Sequence, residues 1–148
     1  MNGDGHMTVE EPADLTQQIA QLNYAIVKWL NINLKAYGVT ATNYFYVMKI
    51  NEHPGVVQNQ LNEIIKVNPS TVTRAINHLI DDGFIVKTVD PDDHRATQLS
   101  LSPMGEQRAV EITAVLDKLN GYLLDNAGQS LPPYDQIINL RHALTGID

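Results

Sequence analysis

The chain contains no cysteine. Disulfides, thiolate metal sites and thiol redox sensing are therefore excluded. It also lacks any apolar run near the roughly 20 residues that span a bilayer, and it shows no secretory pattern of a charged start and apolar centre. The expectation is a cytoplasmic protein with no membrane partner. Positive charge is scarce, with 10 Lys and Arg against 17 Asp and Glu and a formal net charge of −7. That balance argues against a protein that coats nucleic acid non-specifically, which takes many Lys and Arg contacts, but it leaves room for a local basic surface. The histidines His6, His53, His78, His94 and His142 include no i, i+4 pair and have no cysteine beside them, so no metal ligand is assigned. A phosphate-cradling Gly loop and a nucleophile elbow are both missing. The acidic pairs Glu10-Glu11, Asp81-Asp82 and Asp92-Asp93 fall in a leader, a helix end and a turn, where solvated charge is the simpler reading. No catalytic constellation results and no cofactor is expected. An enzyme is the poorest of the readings.

What is present is enough for one domain with a real core, or a small domain plus an oligomerisation region: 148 residues, 43% of them hydrophobic. The most informative stretch is NPSTVTRAINHLIDDG, Asn68 to Gly83. Asn68 suits the N-cap, Pro69 the first helical position and Gly83 the stop. Val72, Ala75, Ile76, Leu79 and Ile80 follow the spacing of one buried helical stripe. The opposite face carries Ser70, Thr73, Arg74 and Asn77, with Thr71 and His78 at its edge. Small hydroxyls, a guanidinium and an amide near a helix N-terminus suit a major groove, where Arg pairs with guanine, Asn with adenine, and Ser or Thr with phosphate or either base type. Asp81 and Asp82 would repel phosphate, so the C-terminal end should point away from a nucleic acid. By itself this is equally an amphipathic helix with a polar outer face, and its neighbours decide between the two.

Residues 1–14 read as an acidic, Gly-containing disordered leader, with Met7 an alternative start, and are set aside from the fold. Leu15, Ile19, Leu22, Ile26, Trp29 or Leu30, and Leu34 predict a long amphipathic helix to about Tyr37, ended by Gly38. Thr40 is expected to cap a second helix over residues 41–52, closed by His53-Pro54-Gly55. Val57, Leu61, Ile64 and Ile65 give a short third helix that runs almost directly into Asn68, the tight connection of a helix-turn-helix. Beyond Gly83 the period becomes two over residues 85–89 and 98–101, with the polar connection DPDDHRAT between them, which predicts a hairpin with an exposed tip. Ser102-Pro103 opens a long helix with a stripe on Ile112, Val115, Leu116, Leu119, Tyr122 and Leu123. After a loop over residues 128–133, Tyr134 to Leu144 forms a last short helix. No internal repeat or low-complexity tract is present.

Over STVTRAINHLIDDGFIVKTVDPDDHRATQLSLSPMG the sequence resembles the winged-helix core of the multiple-antibiotic-resistance-regulator (MarR) family of transcription factors. The resemblance extends from about Leu15 to Leu144 and is most specific over residues 57–105. It implies a mostly α (α+β) fold: a winged helix-turn-helix lobe over 40–105 with a β-hairpin wing, flanked by dimerisation helices over 15–37 and 103–146. It also implies a homodimer on a pseudo-palindromic double-stranded DNA operator, acting as a repressor relieved by a small aromatic or phenolic effector. The DNA-contacting set it implies is Gln58, Asn59, Asn68, Ser70, Thr71, Thr73, Arg74, Asn77, His78, Lys87, Asp93 and Arg95, with Arg95 at the wing tip reaching the minor groove and Asp93 holding it in place.

Two departures bear on this reading. His94 stands where family wings often carry a second arginine, and Lys87 takes a strand position that is often arginine. Across residues 40–105 five Lys and Arg face seven Asp and Glu, a balance of −2. Affinity is then expected to rest on Arg74, Arg95, helix N-termini and polar contacts to phosphate. It should strengthen as pH falls from about 8 to 6, where His78 and His94 can add positive charge. The alternative is a winged-helix protein-interaction module with little or no DNA affinity. For an effector, Trp29, Tyr37, Tyr44, Tyr46, Met48 and His53 cluster near the junction of the first two helices, where MarR-like proteins often bind aromatic ligands. Aromatic residues at helical spacing are more often packing, and that reading stays beside it.

Overall fold

The computed structural model of the protein describes residues 14–93, 96–128 and 133–146. The expected leader, apart from Asp14, lies outside them, as do His94, Arg95 and the centre of the loop before the last helix. The order is α1 (Leu15–Leu34), α2 (Tyr44–Glu52), β1 (Val56–Val57), α3 (Gln58–Ile65), α4 (Pro69–Asp81), β2 (Ile85–Val89), β3 (Thr97–Leu101), α5 (Pro103–Asn126) and α6 (Pro133–Leu144). This is the expected mostly α fold with a small sheet.

Asp14 starts α1 by accepting from the N–H groups of Thr16 at 2.8 Å and Gln17 at 3.4 Å, which satisfies two orphan donors of the first turn. The helix does not run unbroken to Tyr37. Lys35–Tyr37 tightens into a 3-10 turn that ends on Gly38 at φ 74, whose N–H bonds back to Lys35. The expected start of α2 is also corrected. Asn43 Oδ1 takes the Thr40 N–H at 2.7 Å, and Thr40 Oγ1 takes the N–H groups of Thr42 and Asn43 at 3.2 and 3.3 Å. These reciprocal bonds fold residues 40–43 into a turn, so the helix begins only at Tyr44.

A further correction concerns Val57, placed in sequence on the stripe of the third helix. It belongs instead to β1, where Val56 pairs with Leu99 and Val57 with Gln98. Gln60 then reaches back to the Val57 N–H at 3.2 Å, which is half of a capping box, because valine offers no oxygen in return. β3 pairs antiparallel with β2 as well, from Ile85 opposite Leu101 to Val89 opposite Thr97, so the sheet order is β1-β3-β2.

The core lies where α2, α3, α4 and the sheet meet the middle of α5. Val47, Leu61, Val72, Ile76, Leu79, Leu99 and Ile112 have no exposed surface, so each withdraws a whole aliphatic side chain from water. The stripe read on α4 is the buried face: Val72, Ile76 and Leu79 lie in the core, with Ala75 and Ile80 at its margin. Gly83 at φ 83 reverses the chain, and the Phe84 N–H returns to the Leu79 carbonyl at 2.9 Å. Ser102 caps α5 by accepting the Gly105 N–H at 3.0 Å.

The two ends of the chain behave differently. Leu15, Ile19, Leu22 and Ile32 on α1, Val110 and Tyr122 on α5, and Tyr134, Ile137 and Leu144 on α6 are exposed, and α6 contributes no buried residue. Among the described residues no helix is long and apolar enough to cross a membrane.

Candidate nucleic-acid interface

α3 and α4 are joined by Lys66, Val67 and Asn68. Lys66, at φ 55, takes the left-handed conformation and bonds its N–H to the Asn62 carbonyl at 2.9 Å, which turns the chain sharply after α3. Asn68 then caps α4, its Oδ1 accepting from the Ser70 N–H at 3.0 Å and from Ser70 Oγ at 2.7 Å. Pro69 follows at the first helical position, as its fixed φ favours.

This arrangement presents one continuous polar face. Asn68, Ser70, Thr71, Thr73, Arg74, Asn77 and His78 are all exposed, and Arg74, Asn77 and His78 make no side-chain hydrogen bond to a described residue. Of the α3 candidates, Asn59 is exposed, while Gln58 is half-buried and donates from Nε2 to Thr73 Oγ1 at 2.8 Å. Asp81 and Asp82 are exposed at the opposite end of α4. Donors and the positive end of the helix dipole therefore sit at one end and carboxylates at the other.

The wing is organised by Asp90, which sequence reasoning did not single out. Asp90 Oδ1 accepts from the N–H groups of Asp92 at 2.8 Å and Asp93 at 3.4 Å, and Oδ2 accepts from Gln98 Nε2 at 3.3 Å. Its own N–H bonds to Ala96 O at 3.0 Å, and Ala96 N–H to Asp93 O at 2.9 Å, which closes the turn. An Asp-Pro pair at the start of a polar loop is the signal that could have found it, since Asp side chains cap the amides two and three residues on. Lys87 is exposed on β2 opposite Leu99, and Asp93 is exposed at the turn. The role given to Asp93 toward Arg95 falls on a residue outside the described ones.

The aromatic candidates are not gathered into one site. Trp29 lines a cavity of about 670 Å³ between α1 and α5, together with Leu22, Ile26, Leu119, Tyr122 and Leu123. His53 lines a second one of about 570 Å³, beside Pro54, Gln60, Glu63 and Ile64. Tyr37, Tyr44 and Met48 line neither of these two; they are half-buried against the core, and Tyr46 is within it. Burial raises the phenol pKa of Tyr44 and of Tyr46 above the ordinary value. The α5 side of the Trp29 cavity was not foreseen, because the helices that form it are far apart in sequence.

The tight α3–α4 pair, the polar N-terminal face of α4 and the three-stranded sheet with its hairpin together define a winged helix-turn-helix protein. The model of the MarR family matches residues 39–97 of the chain. The chain is 33% identical over 94 residues to the HTH-type transcriptional regulator YybA of Bacillus subtilis (strain 168), a match covering 64% of this chain and 63% of that relative, a little under two thirds of its length. It is 28% identical over 114 residues to the HTH-type transcriptional regulator BilQ of Clostridioides difficile (strain CD3), covering 77% of this chain and 76% of that one. The fold is shared with S. aureus MepR, solved as a DNA complex, with a TM-score of 0.82 at 16% identity over 92% of this chain and 100% of that chain.

Proposed function

We propose that the protein is a sequence-specific DNA-binding transcriptional regulator of the cytoplasm. In this reading the lobe over 40–105 binds a pseudo-palindromic operator, and the helices over 15–37 and 103–146 pair two copies into a homodimer. The observation that carries it is the exposed face of α4, where Ser70, Thr71 and Thr73 stand at the positive end of the helix and Arg74 and Asn77 continue the same polar face. A groove-reading helix needs those side chains in that place. That MepR, a protein of the same fold, was solved as a DNA complex supports DNA as the partner, and the uncovered apolar side chains of α1, α5 and α6 support pairing.

Output as a repressor relieved by a small aromatic or phenolic ligand belongs to the same proposal. The cavity lined by Trp29 and Tyr122 is its support, because its volume of about 670 Å³ and apolar lining are those of a site for a small ligand. The acidic balance of the lobe favours a second reading, a winged-helix module that binds protein. Anisotropy titration against the DNA upstream of the protein's own gene, with scrambled competitor, separates the two. Saturable binding that scrambled DNA fails to displace is expected; equal displacement by both would support the interaction module.

A further inference from the structure

Two of the three hydroxyl protons on the first two turns of α4, those of Ser70 and Thr73, are committed within the protein. Ser70 Oγ donates to Asn68 Oδ1 at 2.7 Å, and Thr73 Oγ1 donates to the Pro69 carbonyl at 3.0 Å. A hydroxyl has one proton, so neither can donate to a base or a phosphate without giving up that bond. Thr73 is held a second time. Its oxygen accepts from Nε2 of Gln58, the first residue of α3, at 2.8 Å. Bonded to Pro69 as a donor and to Gln58 as an acceptor, the β-branched side chain is fixed in one χ1 rotamer. With its proton given to Pro69 and one of its two lone pairs taken by Gln58, Thr73 can no longer donate, and its γ-methyl is the main group it has left to offer. In a major groove a threonine methyl packs against the C5 methyl of thymine. Arg74 and Asn77 beside it have uncommitted donors, suited to guanine and adenine edges.

We propose that Gln58 is a positioning residue for sequence readout: it locks the Thr73 hydroxyl against α3, so that Thr73 reads a thymine C5 methyl and not a hydrogen-bonding base edge. This rests on the DNA-binding reading above. Gln58 acts through Thr73, and its loss should change sequence preference more than overall affinity, because phosphate contacts fix placement and carry no sequence information.

The test uses the full chain and a randomised duplex DNA library. Retained duplexes are selected, and affinities are measured by anisotropy at fixed ionic strength. Each thymine of the selected site is then replaced singly by deoxyuridine, which removes only the C5 methyl. The wild type should lose roughly fourfold at one thymine of each half-site, the scale set by burying one methyl. Thr73→Ser keeps the hydroxyl and deletes the methyl, and should abolish the preference for thymine over uracil. Thr73→Val keeps a methyl and deletes the hydroxyl, and should retain it. Gln58→Ala should reduce the preference for thymine over uracil. In a Thr73→Val background the same change should do nothing further, since valine accepts no hydrogen bond. The inference is overturned by a preference that survives Thr73→Ser, by one that is lost in a folded Thr73→Val protein, or by one indifferent to Gln58→Ala. A wild type that retains duplexes but tolerates deoxyuridine everywhere overturns this inference alone. One that retains no duplex at all overturns the DNA-binding reading and the inference with it.

Discussion

The carbonyl oxygen of Phe84 lies against Gly105 so closely that a Cβ on that glycine would stand 2.0 Å from it. The same oxygen accepts the Ser102 N–H at 3.0 Å, so the segment leaving α4 is docked directly on the start of α5. Backbone cannot give way as a side-chain tip can. Gly105→Ala should therefore destabilise by about 1–3 kcal/mol or more, read as a lower urea midpoint at unchanged slope. A midpoint equal to wild type would show that the helix slides freely at this contact.

Arg74 is exposed, with its guanidinium uncommitted among the described residues. Arg74→Ala should cost on the order of 1–3 kcal/mol on the preferred duplex and flatten discrimination at one base pair of each half-site. A uniform loss across all sequences, with a shallower salt dependence, would instead assign Arg74 to a phosphate.

Asp90 holds the wing turn through two backbone amides and the Gln98 side chain. Replacing it with alanine should cost roughly 0.5–1.5 kcal/mol of stability and speed amide exchange at Asp92 and Asp93. DNA affinity should fall as well, although a negative charge has been removed from the binding side. Tighter binding would mean that the charge outweighs the geometry.

Deleting residues 134–148 removes the exposed Tyr134, Ile137, Leu140 and Leu144 of α6. If these cover the apolar surface of a second copy, the shortened protein should dissociate or aggregate, as sedimentation would show. A well-behaved monomer that still binds DNA would remove the terminal helices from assembly.

The phenols of Tyr44 and Tyr46 titrate above the ordinary tyrosine value of 10.0 because burial disfavours the phenolate. Above that value the unfolded chain has released protons that the native state still holds, so stability falls as pH rises toward the higher native values; below it the contribution is fully present. The Tyr44→Phe, Tyr46→Phe double variant should lose less stability than wild type between about pH 9.5 and 11, measured by urea unfolding. Parallel losses in the two proteins would show that other groups carry the alkaline effect.

Much of this protein is written in interactions three or four residues apart. The stripe on α4, its Asn68-Pro69 start, its Gly83 stop and the Ser102 cap of α5 could all be read directly, because helix periodicity and capping couple near neighbours. The polar face of α4 followed from the same spacing. Tertiary structure decided what depends on partners distant in sequence. Two valines have no period, so Val56–Val57 becomes a strand only because β3 is there to pair with it. The aromatic residues near the first two helices are divided between a core and two cavities by helices packed from elsewhere in the chain. The Gln58–Thr73 bond joins residues 15 apart, across the turn of the helix pair. Composition shows which groups can hydrogen-bond; only the packed chain shows which of them are already satisfied, and therefore which are left to meet a partner.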